Sequence, residues 1–200
     1  MKPLMTVDFS FYFVFCLALF SRNLDVYLTY LIAILIHECG HLLVASLYKW
    51  EVESFKLTAL GGFLTFRNDL ARPPLQSMVV ALGGILFNGM LIVVLKMLDG
   101  PPALIYTQFA IIVFNLLPVT PLDGSKVFHS LLRLLFDYRY TLRVLKATNF
   151  IFLVLFTGII IALRLHSYVV VAVVLAVYVG KFSAAHPYLY ERYLIQSHQK

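Results

Sequence analysis

His37-Glu38-Cys39-Gly40-His41 combines residue types and a spacing that point directly to chemistry. Residues four apart share one face of an α-helix, so both imidazoles can grip a single Zn²⁺ while Glu38 stands beside it. Two nitrogens do not complete a catalytic zinc site, which takes three protein ligands and keeps a further position for water. Water bound there ionises near neutral pH, with a carboxylate as its general base. The cluster interrupts a run, Val26–Tyr48, that is otherwise free of charge. Ionisable groups in such a run are rare and usually functional. The alternative is a buried, hydrogen-bonded polar cluster that only holds helices together.

A third ligand must be another carboxylate or imidazole at the same level. Of the ten Asp and Glu residues, Glu38 and Asp123 fall well inside apolar stretches. Asp123 closes Asn115-Leu-Leu-Pro-Val-Thr-Pro-Leu-Asp-Gly124, where Pro118 and Pro121 break the helical ladder. Membrane helices tolerate such breaks where the backbone lines a cavity. His41 precedes Lys49 by eight residues and Asp123 precedes Arg133 by ten. At about 1.5 Å per helical residue, both sit roughly 12–15 Å from a basic border. Asp123 is the expected third ligand; its alternative role is a helix cap before Gly124.

The elements that must position these groups are membrane spans. The chain of 200 residues is 61% hydrophobic and only 13% charged, against about 45–50% and 25% in water-soluble chains. That excludes a soluble globular enzyme, and Cys16 and Cys39, both in apolar runs, imply no disulfide framework. Spans of about 20 residues are expected at Leu4–Phe20, Val26–Tyr48 and Leu75–Leu95. A fourth runs from Ala103 towards Phe136, interrupted by the prolines. Leu4–Phe20 lacks a small-x-small cleavage site and reads as a retained span. Thr148–Val179 is too long for one untilted crossing, and a hairpin at Arg164–Ser167 keeps Arg164 and His166 out of the membrane centre.

The expectation is an all-α polytopic membrane protein of about six transmembrane helices, forming a single domain over residues 1–200. With the N-terminus in the cytosol, twelve Lys and Arg residues lie on inside segments and three outside, with Lys126 inside the fourth span. This positive-inside bias places both termini in the cytosol. Dispersed in this way, the net charge of +6 argues against nucleic acid as a partner and for the lipid bilayer. Between the second and third spans, Ser54–Leu60 and Phe63–Phe66 alternate as strands around Gly61-Gly62, which offers a turn. A small membrane-associated β-hairpin is expected there; an amphipathic surface loop is the alternative.

His37-Glu38-x-x-His41 in an early span and Asn115-x-x-Pro118…Leu122-Asp123-Gly124 in a later one together resemble the site-2 protease family of intramembrane zinc metalloproteases. The resemblance covers about Leu24 to Phe136 and extends to the ends by span count alone. It implies Zn²⁺ held by His37, His41 and Asp123, with Glu38 activating water. It also implies that Asn115 positions substrate or steadies the oxyanion; from the residues alone, a helix–helix hydrogen bond serves equally. Substrates would be membrane-tethered proteins. Similarity to a sporulation protease of spore-forming bacteria implies a sigma-factor precursor, cleaved at the bacterial cell membrane.

The family's G-P-x-x-N pattern appears as Gly84-Ile85-Leu86-Phe87-Asn88, with Ile85 in place of Pro; Gly83, Gly84 and Asn88 read as ordinary small-residue packing. The PDZ and cystathionine-β-synthase domains common in the family are not expected here, so regulation falls to other membrane proteins. Cys39 reads as packing and His129 as a histidine at the membrane interface. Two rival functions use the same residues. A metal transporter would treat the cluster as a transit site and call for more polar residues along a path; a catalytically inactive scaffold would only bind membrane partners.

Overall fold

The computed structural model describes residues 5–22, 24–58, 61–67 and 72–162. Within them the chain is mostly helical with one small sheet: β1 (Met5–Val7), α1 (Phe9–Phe20), α2 (Leu24–Leu47), β2 (Val52–Thr58), β3 (Gly61–Phe66), α3 (Pro74–Met97), α4 (Pro102–Asn115), α5 (Asp123–Leu135) and α6 (Tyr138–Ala162). It divides into two compact units, Met1–Asp69 with Val79–Asn115, and Leu70–Met78 with Leu116–Lys200.

In the first unit, α2 is the central element. Its 24 residues make a rod about 36 Å long, enough for a hydrocarbon core of about 30 Å. Like α3, it is long and apolar enough to cross a membrane; α1 and α4 are apolar but shorter. Two glycines set how α2 meets α3. A Cβ on Gly40 would lie 2.5 Å from the Gly83 carbonyl oxygen, and one on Gly83 would lie 2.8 Å from that of Gly40. The backbones therefore touch, as small residues permit between membrane helices. Ala33 and Ile34 of α2 pack on Ile111 of α4, and Tyr27 meets the rings of Phe11 and Phe15 on α1.

The sheet is fastened to the end of α2. Lys49 turns the chain with φ +55°, and Trp50 packs edge-on against Phe66 with Ala45 and Val80. β2 and β3 pair antiparallel, as the alternation predicts, but Gly61 and Gly62 lie inside β3, opposite Thr58 and Leu57, rather than in a turn. Lacking side chains, they let the strand lie directly on α2, where a Cβ at Gly61 would touch Ile34.

The sheet also has a third strand. Met5–Val7, expected to open the first span, pairs parallel with Phe55–Leu57. Asp8 ends this strand and starts α1. Its backbone is extended, its amide donates to Leu57 O, its carboxylate accepts from the Ser10 amide, and Lys56 Nζ lies 2.6 Å from Oδ2.

The single expected fourth span is broken. α4 stops at Asn115 and α5 starts at Asp123, because Pro118 and Pro121 have no N–H to continue the ladder. The following helix begins at Tyr138, ten residues before the expected Thr148. Asp137 is the reason: its carboxylate accepts from the amides of Arg139 and Tyr140 and caps the first turn. Thr141, Leu142, Leu145 and Asn149 make the buried stripe of α6. The proposed hairpin at Arg164–Ser167 lies outside the described residues.

The Lys56 ammonium and the Ser10 amide hold the Asp8 carboxyl down to about 2, from its ordinary 3.8. A group depressed on folding stabilises the structure above its unfolded value and stops doing so as pH falls through the folded one. The junction of β1 and α1 is therefore expected to hold above about pH 4 and to loosen between about pH 4 and 2. Hydrogen exchange of the β1 amides across that window checks this; Asp8→Asn should abolish the pH dependence, and exchange rates flat with pH in the native chain would refute it.

Candidate active site

His37 and His41 are buried on α2, one turn apart. His41 Nδ1 lies 2.8 Å from the Val80 carbonyl oxygen of α3. A carbonyl only accepts, so the ring proton sits on Nδ1 and the Nε2 lone pair is left for a metal. That Nε2 faces the Nε2 of His37 at 3.1 Å, with the rings nearly perpendicular. Two zinc–nitrogen bonds of about 2.0–2.1 Å at a tetrahedral angle put their nitrogens about 3.4 Å apart. The pair thus fits zinc with only a small outward adjustment.

Gly84 gives a second, independent fit. A Cβ there would lie 2.6 Å from His41 Nε2 and 2.7 Å from His37 Nε2. The space beside both ligand atoms exists because this position has no side chain. Sequence reading assigned Gly84 to packing; Gly83 does that, while Gly84 keeps the metal-facing side of the imidazoles clear. Asn88, one turn further along α3, is fully buried, and its amide finds no hydrogen-bond partner among the described residues.

Glu38 follows His37 by one residue and so projects about 100° around the helix, towards β3. A Cβ on Gly62 would lie 2.8 Å from Glu38 Cγ and 2.7 Å from the Phe55 ring. Gly62 therefore lets a strand backbone run against the Glu38 side chain, a contact that sequence reading missed when it took the glycines for a turn. Cys39, expected to serve packing, is instead exposed on α2.

Asp123, in the second unit, is buried as the first residue of α5. The capping position belongs to Leu122, whose side chain makes no cap bond, so Asp123 is not the helix cap of the alternative reading. Its Oδ1 lies 2.9 Å from Lys126 Nζ, whose side chain is 54% exposed against 6% for Asp123. Gly124 lets the loop fold back closely, since a Cβ there would collide with the carbonyl oxygens of Leu116 and Leu117.

Thr120 of the same loop is held by Asn149 of α6, through an amide–carbonyl bond of 3.0 Å and a side-chain bond of 2.6 Å. Sequence reading missed Asn149, although a lone amide at the mouth of an apolar stretch was a usable signal. Asn115 donates to the Ile111 carbonyl in its own helix at 3.1 Å, so in α4 that bond is internal rather than helix to helix. His129 is stacked edge-on against Tyr138 in the α5–α6 corner.

The two glycines predict separable defects. Gly84→Ala should weaken metal binding by about 10–100-fold, the range seen when groups supporting a metal site are lost. Gly62→Ala should leave metal content intact and slow any reaction that needs Glu38. Metal titration and turnover of both purified variants check this; equal loss of metal from both would show that the glycines serve packing alone.

Residues 26–99 match Peptidase family M50. Over 119 residues the chain is 27% identical to stage IV sporulation protein FB of Bacillus subtilis, covering 56% of this chain and 41% of that one. It is 34% identical over 110 residues to a Synechocystis protein named as a zinc metalloprotease, covering 50% and 29%. The chain thus matches less than half the length of these relatives. A solved structure, the site-2 protease from Methanocaldococcus jannaschii, superposes with a TM-score of 0.68 over 92% of this chain and 93% of that one, at 16% identity, and so shares the fold. The M50 match thus lies across the paired histidines, Glu38 and Gly84, and the fold around them is that of a site-2 protease.

Proposed function

We propose that this chain is an intramembrane zinc metalloendopeptidase that hydrolyses peptide bonds of membrane-tethered proteins. The observation that carries the reading is the pair of Nε2 atoms on α2, 3.1 Å apart and cleared by Gly84, with Glu38 one residue along. His37, His41 and Asp123, all buried and all of zinc-binding type, are the proposed ligands. Zinc held there supplies a Lewis acid for the scissile carbonyl and lowers the pKa of water. Glu38 takes the proton from the attacking water and delivers it to the leaving amine. The Val80 carbonyl keeps the His41 ring in the required tautomer. Asn115, at the end of α4, orients the substrate or its developing oxyanion.

A helix conceals its carbonyls, so the substrate must unwind near the site. The order β1-β2-β3 puts β3 at the edge of the sheet, with Gly62 against Glu38. An unwound segment can add to that edge as a further strand, with main-chain hydrogen bonds giving affinity. Similarity to a sporulation protein supports a membrane-associated sigma-factor precursor as the substrate. The chain lies in the bacterial cell membrane as a multi-pass protein with both termini cytoplasmic, regulated by separate membrane proteins.

Loss of a general base costs about 10²–10⁴-fold. Glu38→Gln is therefore expected to keep its zinc while cleavage of a membrane-tethered reporter falls by at least about 100-fold. Persistent cleavage in that variant sinks the mechanism. The strand-addition reading is tested by placing a photo-crosslinker at Leu64 of β3. Adducts should map next to the scissile bond, and adducts confined to other parts of the substrate would refute it.

A further inference from the structure

Asn149 stands on the buried stripe of α6, in line with Thr141, Leu142 and Leu145, and is 4% exposed. An amide there must be satisfied by protein. Both its bonds go to one residue: Oδ1 accepts the Thr120 amide proton at 3.0 Å, and Nδ2 donates to Thr120 Oγ1 at 2.6 Å. Thr120 is equally buried and lies in the non-helical link 116–122 between α4 and α5, three residues before Asp123.

That link has few means of holding itself. Pro118 and Pro121 have no N–H to donate. The internal bonds are those from Val119 N to Leu117 O and from Leu122 N to Val119 O. The Thr120 N–H turns away from them to Asn149. A two-point bond from one amide fixes both the place and the rotation of the Thr120 peptide, and a regular helix anchors that amide. From Thr120 the chain passes through Pro121 and Leu122, whose carbonyl accepts from Ser125 Oγ at 2.7 Å, straight into Asp123. Little rotational freedom remains between the clamp and the carboxylate.

We infer that Asn149 is a positioning residue for the metal site: by clamping Thr120 it sets where the Asp123 carboxylate is presented. The inference rests on Asp123 being a zinc ligand. Lys126, which holds Oδ1 of the same carboxylate, acts at the other end of this short rigid path. Asn149 acts through its bonds to Thr120.

The test uses Co²⁺ as the probe, titrated into the purified full-length chain in detergent and followed by its visible absorption. Asn149→Leu should weaken Co²⁺ binding by about tenfold or more and change the band shape, as losses behind metal ligands do. Asn149→Asp should stay within about threefold of the native chain, because one carboxylate oxygen can accept the Thr120 N–H and the other its hydroxyl proton. Thr120→Ala, which removes one of the two bonds and perturbs folding least, should fall between them.

Asp123→Ala provides the reference for a lost ligand. If it alters affinity and spectrum while folded Asn149→Leu and Thr120→Ala match the native chain, the clamp has no positioning role. If Asp123→Ala itself leaves both unchanged, the ligand assignment fails and this inference fails with it. If Asn149→Leu does not fold, the ordering of Thr120→Ala and Asn149→Asp decides, and equal weakening in both would overturn the inference.

Discussion

The close approach of α2 to α3 at Gly40 and Gly83 is the constraint on which the histidine site depends. Lipid gives two apolar helices no hydrophobic reason to associate, so contact depends on backbones that can touch. Here they touch so closely that a methyl group at either glycine would lie within 3 Å of the opposite carbonyl oxygen. Only at that separation can the Val80 carbonyl reach the His41 ring, and only then does the side-chain-free Gly84 fall beside both Nε2 atoms. Helix packing and metal-site chemistry therefore share one short segment of α3, and a change made for either reason affects both.

A second close approach serves the carboxylate. β3 lies against α2 through Gly61 and Gly62, reaching Ile34 and Glu38. A side chain at Gly62 would overlap Glu38 and Phe55, and one at Gly61 would press on Ile34. The sheet is held at its other end by Trp50 and Phe66, and β1 with Asp8 extends it on the far side. A strand edge thus stands beside a buried acid within an otherwise helical unit.

The second unit solves a different problem, that of a backbone left without helical hydrogen bonds between Asn115 and Asp123. Groups freed from the ladder must find partners when water is scarce. Side chains provide two of them: Asn149 for Thr120 and Ser125 for Leu122. Lys126 reaches back from the next turn of α5, its side chain about half exposed, so that its charge meets Asp123 at the helix start. An acid at that position is also favoured by the helix dipole.

Much of the site could be read from local patterns. His37, Glu38 and His41 stood out because a helix repeats every 3.6 residues and ionisable groups are costly in an apolar run. Asp123 stood out because two prolines break the run before it. The β2–β3 pair could be read from its alternation, and α2 and α3 from unbroken hydrophobicity. Such features are decided by residues within a turn or two of one another, which is why a sequence can reveal them.

Gly62 and Gly84 could not be read in this way, because a glycine's role depends on which atoms stand where its side chain would be. The sequence makes Gly61-Gly62 equally compatible with a turn and with a strand pressed on a helix; the Ile34 and Glu38 side chains decide. β1 escaped notice because its partner is fifty residues away, and Asn149 because its bonds reach back twenty-nine. The sequence by itself determined which groups can do chemistry and which helices carry them. The tertiary structure alone decided how near the backbones lie and which amide holds which loop, since those depend on contacts between segments that no local pattern encodes.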